Sequence, residues 1–273
     1  MGKERYVRTL CRLVDMEGFE RPQNCDMENR CRSKLLRISP KHFPQALYLA
    51  DKLEGCLSDS TDFCGSLACK RCVRDVRMKA VDRLVKEMEG KPYKLITLVC
   101  YSDVIHGSSL DELNIKKLKD KLRKQLERSD VYLPLIGTFE VDYHSHIDSW
   151  VPHFHLLMPA CEKTEGAIRS SFRKSHDIKM WKGRIARPVY LKSVKAGEEV
   201  AAVSYVLKVV WATCVDYWCE RREKLVTKKM RGKPTHVAES LLFLDSITSD
   251  QVVFEYRVKG TKSSWRSLSA PNR

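Results

Sequence analysis

Two histidines one residue apart, His153 and His155, carry the most readily recognised chemistry in the sequence. Their segment is mostly apolar, which predicts a strand, and alternate side chains of a strand point to one face. The strand predicted before it supplies Glu140. If the two strands form a hairpin with its loop near Ile147, Glu140 lies opposite the histidines on the same face. Two imidazoles and a carboxylate can hold a cation and leave positions open for substrate oxygens; the alternative is a pair of core histidines.

A second pair with the same spacing, His144 and His146, comes just before this segment. Its neighbours are polar, so we expect it to be solvated at the hairpin tip. H-x-H alone is a weak motif for metal binding.

Tyr205 and Lys208 form a second chemical pair, in a segment predicted to be a helix over residues 198–213. Residues three apart share a helix face. A tyrosine hydroxyl with a pKa of about 10 is a poor nucleophile at neutral pH, but a nearby cation can lower that barrier. The alternative is a core tyrosine whose lysine reaches solvent.

Four cysteines with the spacing Cys56-x7-Cys64-x4-Cys69-x2-Cys72 could complete a tetrahedral zinc site. In a reducing compartment, closely spaced cysteines indicate metal binding rather than disulfides. We expect a structural Zn²⁺ that attaches the N-terminal segment to a helix beginning near Val73. The fourth ligand stays open, because Cys25 and Cys31 compete with Cys56 for that role.

The chain of 273 residues has 50 Lys and Arg against 35 Asp and Glu, a net charge of +15, which favours nucleic acid as partner over an anionic membrane surface. Residues beyond 150 hold +11 of this charge, densest over residues 169–195, where aromatic residues interrupt the bases. Bases contact phosphates and aromatic rings stack on unpaired bases. A second basic run, residues 221–233, is either a solvated helix face or a further binding segment. The candidate DNA-binding residues are Arg169, Arg173, Lys174, Lys179, Trp181, Lys182, Arg184, Arg187, Lys192 and Lys195.

From residue 93 the predicted elements follow the order β-α-β-β-α-β-α, which is the split βαβ arrangement of an α+β fold. It implies a central antiparallel sheet with helices packed on one face. We expect three parts: an N-terminal region with the zinc-binding segment (1–90, its first 50 residues extended or partly mobile), a central domain (91–215), and a mainly helical extension with one strand over residues 251–258 (216–273).

The N-terminus is charged, and the sequence contains no apolar run of about 18 residues. We therefore expect a cytoplasmic protein without a membrane partner.

Taken together, these motifs resemble the HUH endonucleases, and within them the single-tyrosine initiators of rolling-circle plasmid replication. The resemblance spans roughly residues 56–212. It covers the cysteine-rich segment 63–72, the strand 95–98, residues 139–141 before the Pro-His-Phe-His-Leu motif, and Tyr205-Val-Leu-Lys208 as the Tyr-x-x-Lys motif.

The resemblance implies that His153, His155 and Glu140 hold Mg²⁺ or Mn²⁺. Tyr205 would attack a phosphate of single-stranded or hairpin origin DNA, leaving a 5′-phosphotyrosine and a free 3′-hydroxyl for a polymerase. Lys208 would steady the phosphate or the tyrosinate. The host's helicase and polymerase would then act as partners.

The sequence departs from the family pattern at one position. Some relatives carry a glutamate one helical turn before the tyrosine, where this chain has Ala201, and Glu198 lies two turns before Tyr205. Tyr190 and Tyr217 are weaker candidates for the nucleophile.

Two alternatives remain. One is an HUH transposase or mobilisation relaxase, which would use the same chemistry. The other belongs to a different class: a zinc-stabilised nucleic-acid-binding protein without catalysis.

Overall fold

A computed structural model describes residues 21–39, 44–57, 62–88, 90–175, 180–181, 184–185, 188–230 and 232–258 of the chain. Its helices are α1 (Pro22–Arg37), α2 (Gln45–Glu54), α3 (Lys70–Met88), α4 (Ile115–Arg128), α5 (Glu162–Ser175), α6 (Glu199–Val206), α7 (Pro234–Ser246) and α8 (Ser249–Val252). Its strands are β1 (Tyr93–Val99), β2 (Ile105–His106), β3 (Leu135–His144), β4 (Ser149–Pro159), β5 (Met180–Trp181), β6 (Arg184–Ile185), β7 (Val189–Ser193), β8 (Thr213–Cys219), β9 (Lys224–Met230) and β10 (Val253–Tyr256). The protein is α+β, as predicted.

The main sheet has the strand order β7-β1-β4-β3-β8-β9, with β10 also paired to β3 and β2 to β4. The pairs formed by β7, β1, β4 and β3 are antiparallel, in agreement with the expected order of elements. However, β8 runs parallel to β3 through Tyr143 and His144. The sheet is therefore mixed, and the prediction of a purely antiparallel sheet was wrong, because a C-terminal strand joins its edge.

Helices pack on both faces of this sheet, whereas the sequence predicted helices on one face only. On one face, α4 and α5 pack on Phe139 and Phe154, whose rings meet edge to face at 5.2 Å. On the other face, α3 and α6 pack around Leu157. Neighbouring strand residues thus enter two separate cores, as alternation of side chains requires. Within the described ranges, no helix is both long and apolar enough to cross a membrane.

The sequence predicted that residues 1–50 are extended or partly mobile. Within the described part of this region, residues 22–37 and 45–50 are helical, so an extended conformation is wrong there. Four apolar residues of α2 are fully buried: Ala46, Leu49, Ala50 and Leu53. They pack with the cysteine cluster and with Leu241 and Leu244 of α7. Segments from the two ends of the chain thereby share one core.

The C-terminal third differs most from prediction. The helix expected over residues 198–213 ends at Val206, and the chain then enters strand β8. Within the basic run 221–233, residues 224–230 form strand β9 rather than a helix face. The expected final strand is present as Val253–Tyr256. Apolar residues such as Val209 continue the helical pattern beyond the point where the helix stops; Val209 is buried with the N-terminal helices instead.

Candidate functional site

The β3–β4 hairpin brings the predicted ligands together. Its register places Glu140 directly opposite His153 and Thr138 opposite His155, with the turn at residues 145–148. The Nε2 atoms of both histidines lie 3.7 Å from the same carboxylate oxygen, Oε2 of Glu140. One ligand atom from each of Glu140, His153 and His155 lies within 4.8 Å of the others, and all three residues are buried. The group therefore has the composition and spacing of a metal-binding site.

Glu140 is completely buried, and neither of its carboxylate oxygens has a hydrogen-bond partner among the described residues. A buried carboxylate without such partners is costly unless a cation offsets its charge. The second ring nitrogen of each histidine, Nδ1, is hydrogen-bonded. Nδ1 of His153 donates to the carbonyl oxygen of Val151, and Nδ1 of His155 is bonded to Oγ1 of Thr97. Such contacts orient histidine ligands in metal sites. The residues present thus fit a divalent cation.

The two imidazoles differ in their electrostatics. Burial, then the charges of His153 and Lys208, lower the pKa of His155 to about 2, so its ring is neutral at neutral pH. Burial opposes protonation of His153 as well, but the carboxylates of Glu140 and Asp142 outweigh burial and raise its pKa. The carboxylates thus favour positive charge at this position, which a bound metal ion would supply.

Tyr205 lies at the end of α6, beside this cluster. Thr138 of β3 donates a hydrogen bond to the carbonyl oxygen of Val206, and Arg77 of α3 donates to the backbone and side chain of Ser204. These bonds hold the end of α6 against the sheet. The Tyr205 ring packs edge to face on His155 with centroids 4.8 Å apart, and 39% of the residue remains exposed. A substrate bound at the Glu140–His153–His155 group can therefore contact Tyr205 from the solvent side.

Lys208 also lies beside Tyr205, but not as a neighbour on a helix face. Because α6 ends at Val206, Lys208 follows the helix, and its Nζ lies 3.9 Å above the Tyr205 ring centre. Burial and the charge of Glu140 raise the pKa of the Tyr205 hydroxyl. The phenol is thus neutral at neutral pH and needs added positive charge to lose its proton.

The two weaker nucleophile candidates lie elsewhere. Tyr190 pairs with Thr97, so it faces the same side of the sheet as His155, but on the edge strand β7. Tyr217 alternates with Cys214, whose Sγ lies 3.8 Å from Asp142, and therefore points to the opposite face.

The four cysteines of the predicted zinc site also converge. Their Sγ atoms lie within 4.8 Å of one another, and those of Cys56 and Cys64 lie 3.7 and 3.6 Å from Sγ of Cys72. Four sulfurs about 2.3 Å from one zinc ion stand roughly 3.8 Å apart in a tetrahedron. The group is a possible four-cysteine zinc-binding cluster, and Cys56 rather than Cys25 or Cys31 completes it.

Sequence reasoning missed one residue that orients this cluster. Asn29 of α1 is fully buried; its Nδ2 donates to Sγ of Cys69 and to the carbonyl oxygen of Cys56, and its Oδ1 accepts from the backbone N–H of Lys70. Neighbouring thiols hold the pKa of Cys56 well below its usual range and raise that of Cys72. Thiols must lose their protons to bind a metal ion, and a bound cation would stabilise the resulting thiolates.

The structure describes only part of the predicted DNA-binding segment. Arg169 is exposed on α5, which covers the sheet face opposite Glu140, whereas Lys192 on β7 is exposed on the same face as His155. Lys195 is exposed just beyond β7. Lys179, Lys182 and Arg187 lie outside the described residues, and the side chains of Arg173, Lys174, Trp181 and Arg184 are not described.

Two further features were not foreseen. His146 is not solvated: its side chain is 11% exposed, and its Nε2 lies 3.4 Å from Oδ2 of Asp216 on β8. Asp142, two residues after Glu140 on the same face, forms an ion pair with Lys229 of β9. Both contacts depend on the β8–β9 hairpin, which the sequence pattern did not predict.

Comparison with known proteins adds no identification: no family model, curated protein or solved structure matches the chain.

Proposed function

We propose that the protein is a metal-dependent endonuclease and strand transferase for single-stranded DNA, of the HUH type, which initiates rolling-circle replication. One observation carries the proposal: the exposed Tyr205 packs on His155, a member of the buried Glu140–His153–His155 group. If the two histidines were only core residues, nothing would explain why a buried carboxylate without hydrogen-bond partners among the described residues lies beside an accessible tyrosine. The sequence resemblance to the HUH class supports the same assignment.

Each residue has a defined role in the reaction. Glu140, His153 and His155 would hold Mg²⁺ or Mn²⁺, which would supply Lewis-acid stabilisation of the phosphate. The Tyr205 oxygen forms a bond to phosphorus as the bond from phosphorus to the 3′-oxygen breaks. The phenol proton passes to water, and the 3′-oxygen gains a proton and leaves as a hydroxyl. The Lys208 ammonium beside the ring favours the developing tyrosinate.

The residues that precede Tyr205 on α6 affect whether the reaction ends in strand joining or in hydrolysis. Joining is the reverse attack, by a 3′-hydroxyl on the phosphotyrosine. Glu198 precedes the first residue of α6, so it lies seven residues from Tyr205, roughly 10 Å along the helix axis. Because the position one turn before Tyr205 is Ala201 rather than a glutamate, we expect strand joining to dominate over hydrolysis.

The test selects the DNA and the chemistry together. A single-stranded DNA library with a random central region is incubated with the protein and Mn²⁺, and complexes that survive denaturation are recovered. We expect a covalent adduct that carries the 3′-labelled part of the DNA and not the 5′-labelled part. Tyr205→Phe should form none, while Tyr217→Phe, on the opposite face, should match the wild type.

Two results would contradict the proposal. An undiminished adduct with Tyr205→Phe would exclude this tyrosine as the nucleophile. Binding of single strands without any adduct after repeated selection would favour the non-catalytic nucleic-acid-binding alternative.

A further inference from the structure

Lys229 reaches the candidate site from strand β9, in the last third of the chain. Its Nζ lies 2.7 Å from Oδ2 of Asp142, and this same oxygen lies 4.0 Å from Nε2 of His153. Asp142 is fixed by other bonds as well, since its Oδ1 accepts from the backbone N–H of Ala212. The carboxylate therefore holds the ammonium at a defined position beside the histidines.

The two partners of this ion pair differ in exposure. The side chain of Asp142 is 7% exposed, whereas that of Lys229 is 47% exposed. An ammonium group has three N–H donors, and its recorded bond to Asp142 uses one of them. The solvent side of Lys229 thus presents donors and positive charge at the mouth of the site.

The positive charge of Lys229 lies beside the candidate metal ligands. Burial opposes its charge, but Asp142 outweighs burial and raises the pKa of Lys229, so it stays an ammonium. It approaches the candidate site from β9, through an Asp142 oxygen that lies 4.0 Å from Nε2 of His153. Lys208, by contrast, lies over the tyrosine ring. The two lysines therefore act from different positions.

We propose that Lys229 is a phosphate-binding residue of this site, donating to a non-bridging oxygen of the scissile phosphate while Asp142 holds it in place. The inference rests on the proposed function for its substrate. In phosphoryl transfer the negative charge is spread over the non-bridging oxygens. An ammonium group held in place beside them stabilises this charge in the transition state. The C-terminal hairpin β8–β9 thereby becomes part of the site.

The first measurement is DNA binding without the catalytic cation, so that it does not depend on turnover. Affinity of the zinc-loaded protein for a single-stranded oligonucleotide is measured at several salt concentrations, in buffer without EDTA and without added Mg²⁺ or Mn²⁺. Loss of one phosphate contact lowers the slope of log K against log salt by about 0.7. We expect that decrease for Lys229→Met. Lys228→Met should keep the wild-type slope, since Lys228 is equally exposed but points to the other face of β9.

The second measurement is the single-turnover rate of adduct formation. Removing one donor to developing charge slows enzymes roughly 10²-fold or more. We expect this loss for Lys229→Met, and substantial recovery for Lys229→Arg. Binding of Mn²⁺, followed by calorimetry, should be unchanged in both variants.

A variant with both Lys229→Met and Asp142→Asn separates phosphate binding from simple neutralisation of Asp142. If Lys229 binds phosphate, the double variant stays slow; full recovery would overturn the inference. A wild-type salt slope and rate in Lys229→Met would overturn it as well. Failure of the wild type to form any adduct would contradict the proposed function instead, and the salt slope would still decide whether Lys229 contacts phosphate.

Discussion

The rings of Tyr205 and His155 meet edge to face, with centroids 4.8 Å apart, although one residue ends a helix and the other lies within a strand. Nδ1 of His155 is bonded to Thr97, which fixes the ring plane. Any cation on Nε2 would therefore sit close to the tyrosine. The contact joins the predicted nucleophile to the predicted metal ligands.

Glu140→Gln should abolish stabilisation of the protein by Mn²⁺. Ligand at 100 times its Kd stabilises a protein by about 2.7 kcal/mol, which for a chain of this size raises Tm by roughly 5–10 °C. Thermal unfolding of the zinc-loaded protein should show this rise for the wild type and for Glu127→Gln, an exposed control on α4. Without Mn²⁺ the Glu140 variant should melt no lower than the wild type, because the substitution removes a buried charge whose oxygens have no hydrogen-bond partner among the described residues. The same Mn²⁺ shift in both proteins would show that Glu140 is not a ligand.

Cys72→Ser should lose zinc and unfold the region around α1, α2 and the start of α3. A structural zinc contributes about 10–16 kcal/mol in small zinc-binding peptides, which is comparable to the whole stability of a typical domain. Metal analysis of the purified protein and its circular dichroism check this. Cys161→Ser removes a half-buried thiol outside the cluster and should retain one zinc per chain. Full zinc content in the Cys72 variant would contradict the assignment.

Asn29→Ala should weaken zinc binding without removing a ligand. Substituting a residue that orients metal ligands typically lowers metal affinity by about 10- to 100-fold. Asn29 donates hydrogen bonds to two of the four cysteines, Cys56 and Cys69. Competition with a coloured chelator measures the change. Asn24→Ala, on an exposed position of the same helix, serves as control. Equal chelator sensitivity of the two variants would mean that Asn29 contributes only to packing.

The same glycine-to-alanine substitution should have opposite effects at two positions. A Cβ on Gly137 would lie 1.9 Å from the carbonyl oxygen of His155, so β3 and β4 must separate beside the metal ligands. We expect a loss of about 1–3 kcal/mol in unfolding free energy and weaker Mn²⁺ binding. At Gly166, inside α5, a Cβ meets nothing within 4 Å, and alanine should add roughly 0.5–1 kcal/mol. Denaturant unfolding gives both values; a Gly137 variant as stable as the wild type would contradict the close approach.

The sequence predicted the β3–β4 pairing because alternation and a polar turn determine it locally. Once the turn falls at residues 145–148, Glu140 must face His153. The cysteine spacing likewise predicted the four-cysteine group, since the ligands lie within 17 residues of one another. Both features depend on short stretches of chain.

The features that the sequence did not reveal depend on distant contacts. Lys229 meets Asp142 across 87 residues of chain, and Asn29 meets Cys69 across 40. The end of α6 at Val206 is supported by the hydrogen bond from Thr138, 68 residues earlier. A periodic pattern in one segment carries no information about such partners, which is why β8 and β9 were mistaken for a helical extension.

Identification of the modified residue in the covalent adduct tests the account most directly. The wild-type adduct is digested with nuclease and protease, and the peptide that retains a nucleotide is sequenced by mass spectrometry. We expect a 5′-phosphate ester on Tyr205, formed only when Mg²⁺ or Mn²⁺ is present. A nucleotide on Tyr190 or Tyr217, or an adduct that forms equally well in Glu140→Gln without metal, would contradict the central claim that Tyr205 acts beside the Glu140–His153–His155 group.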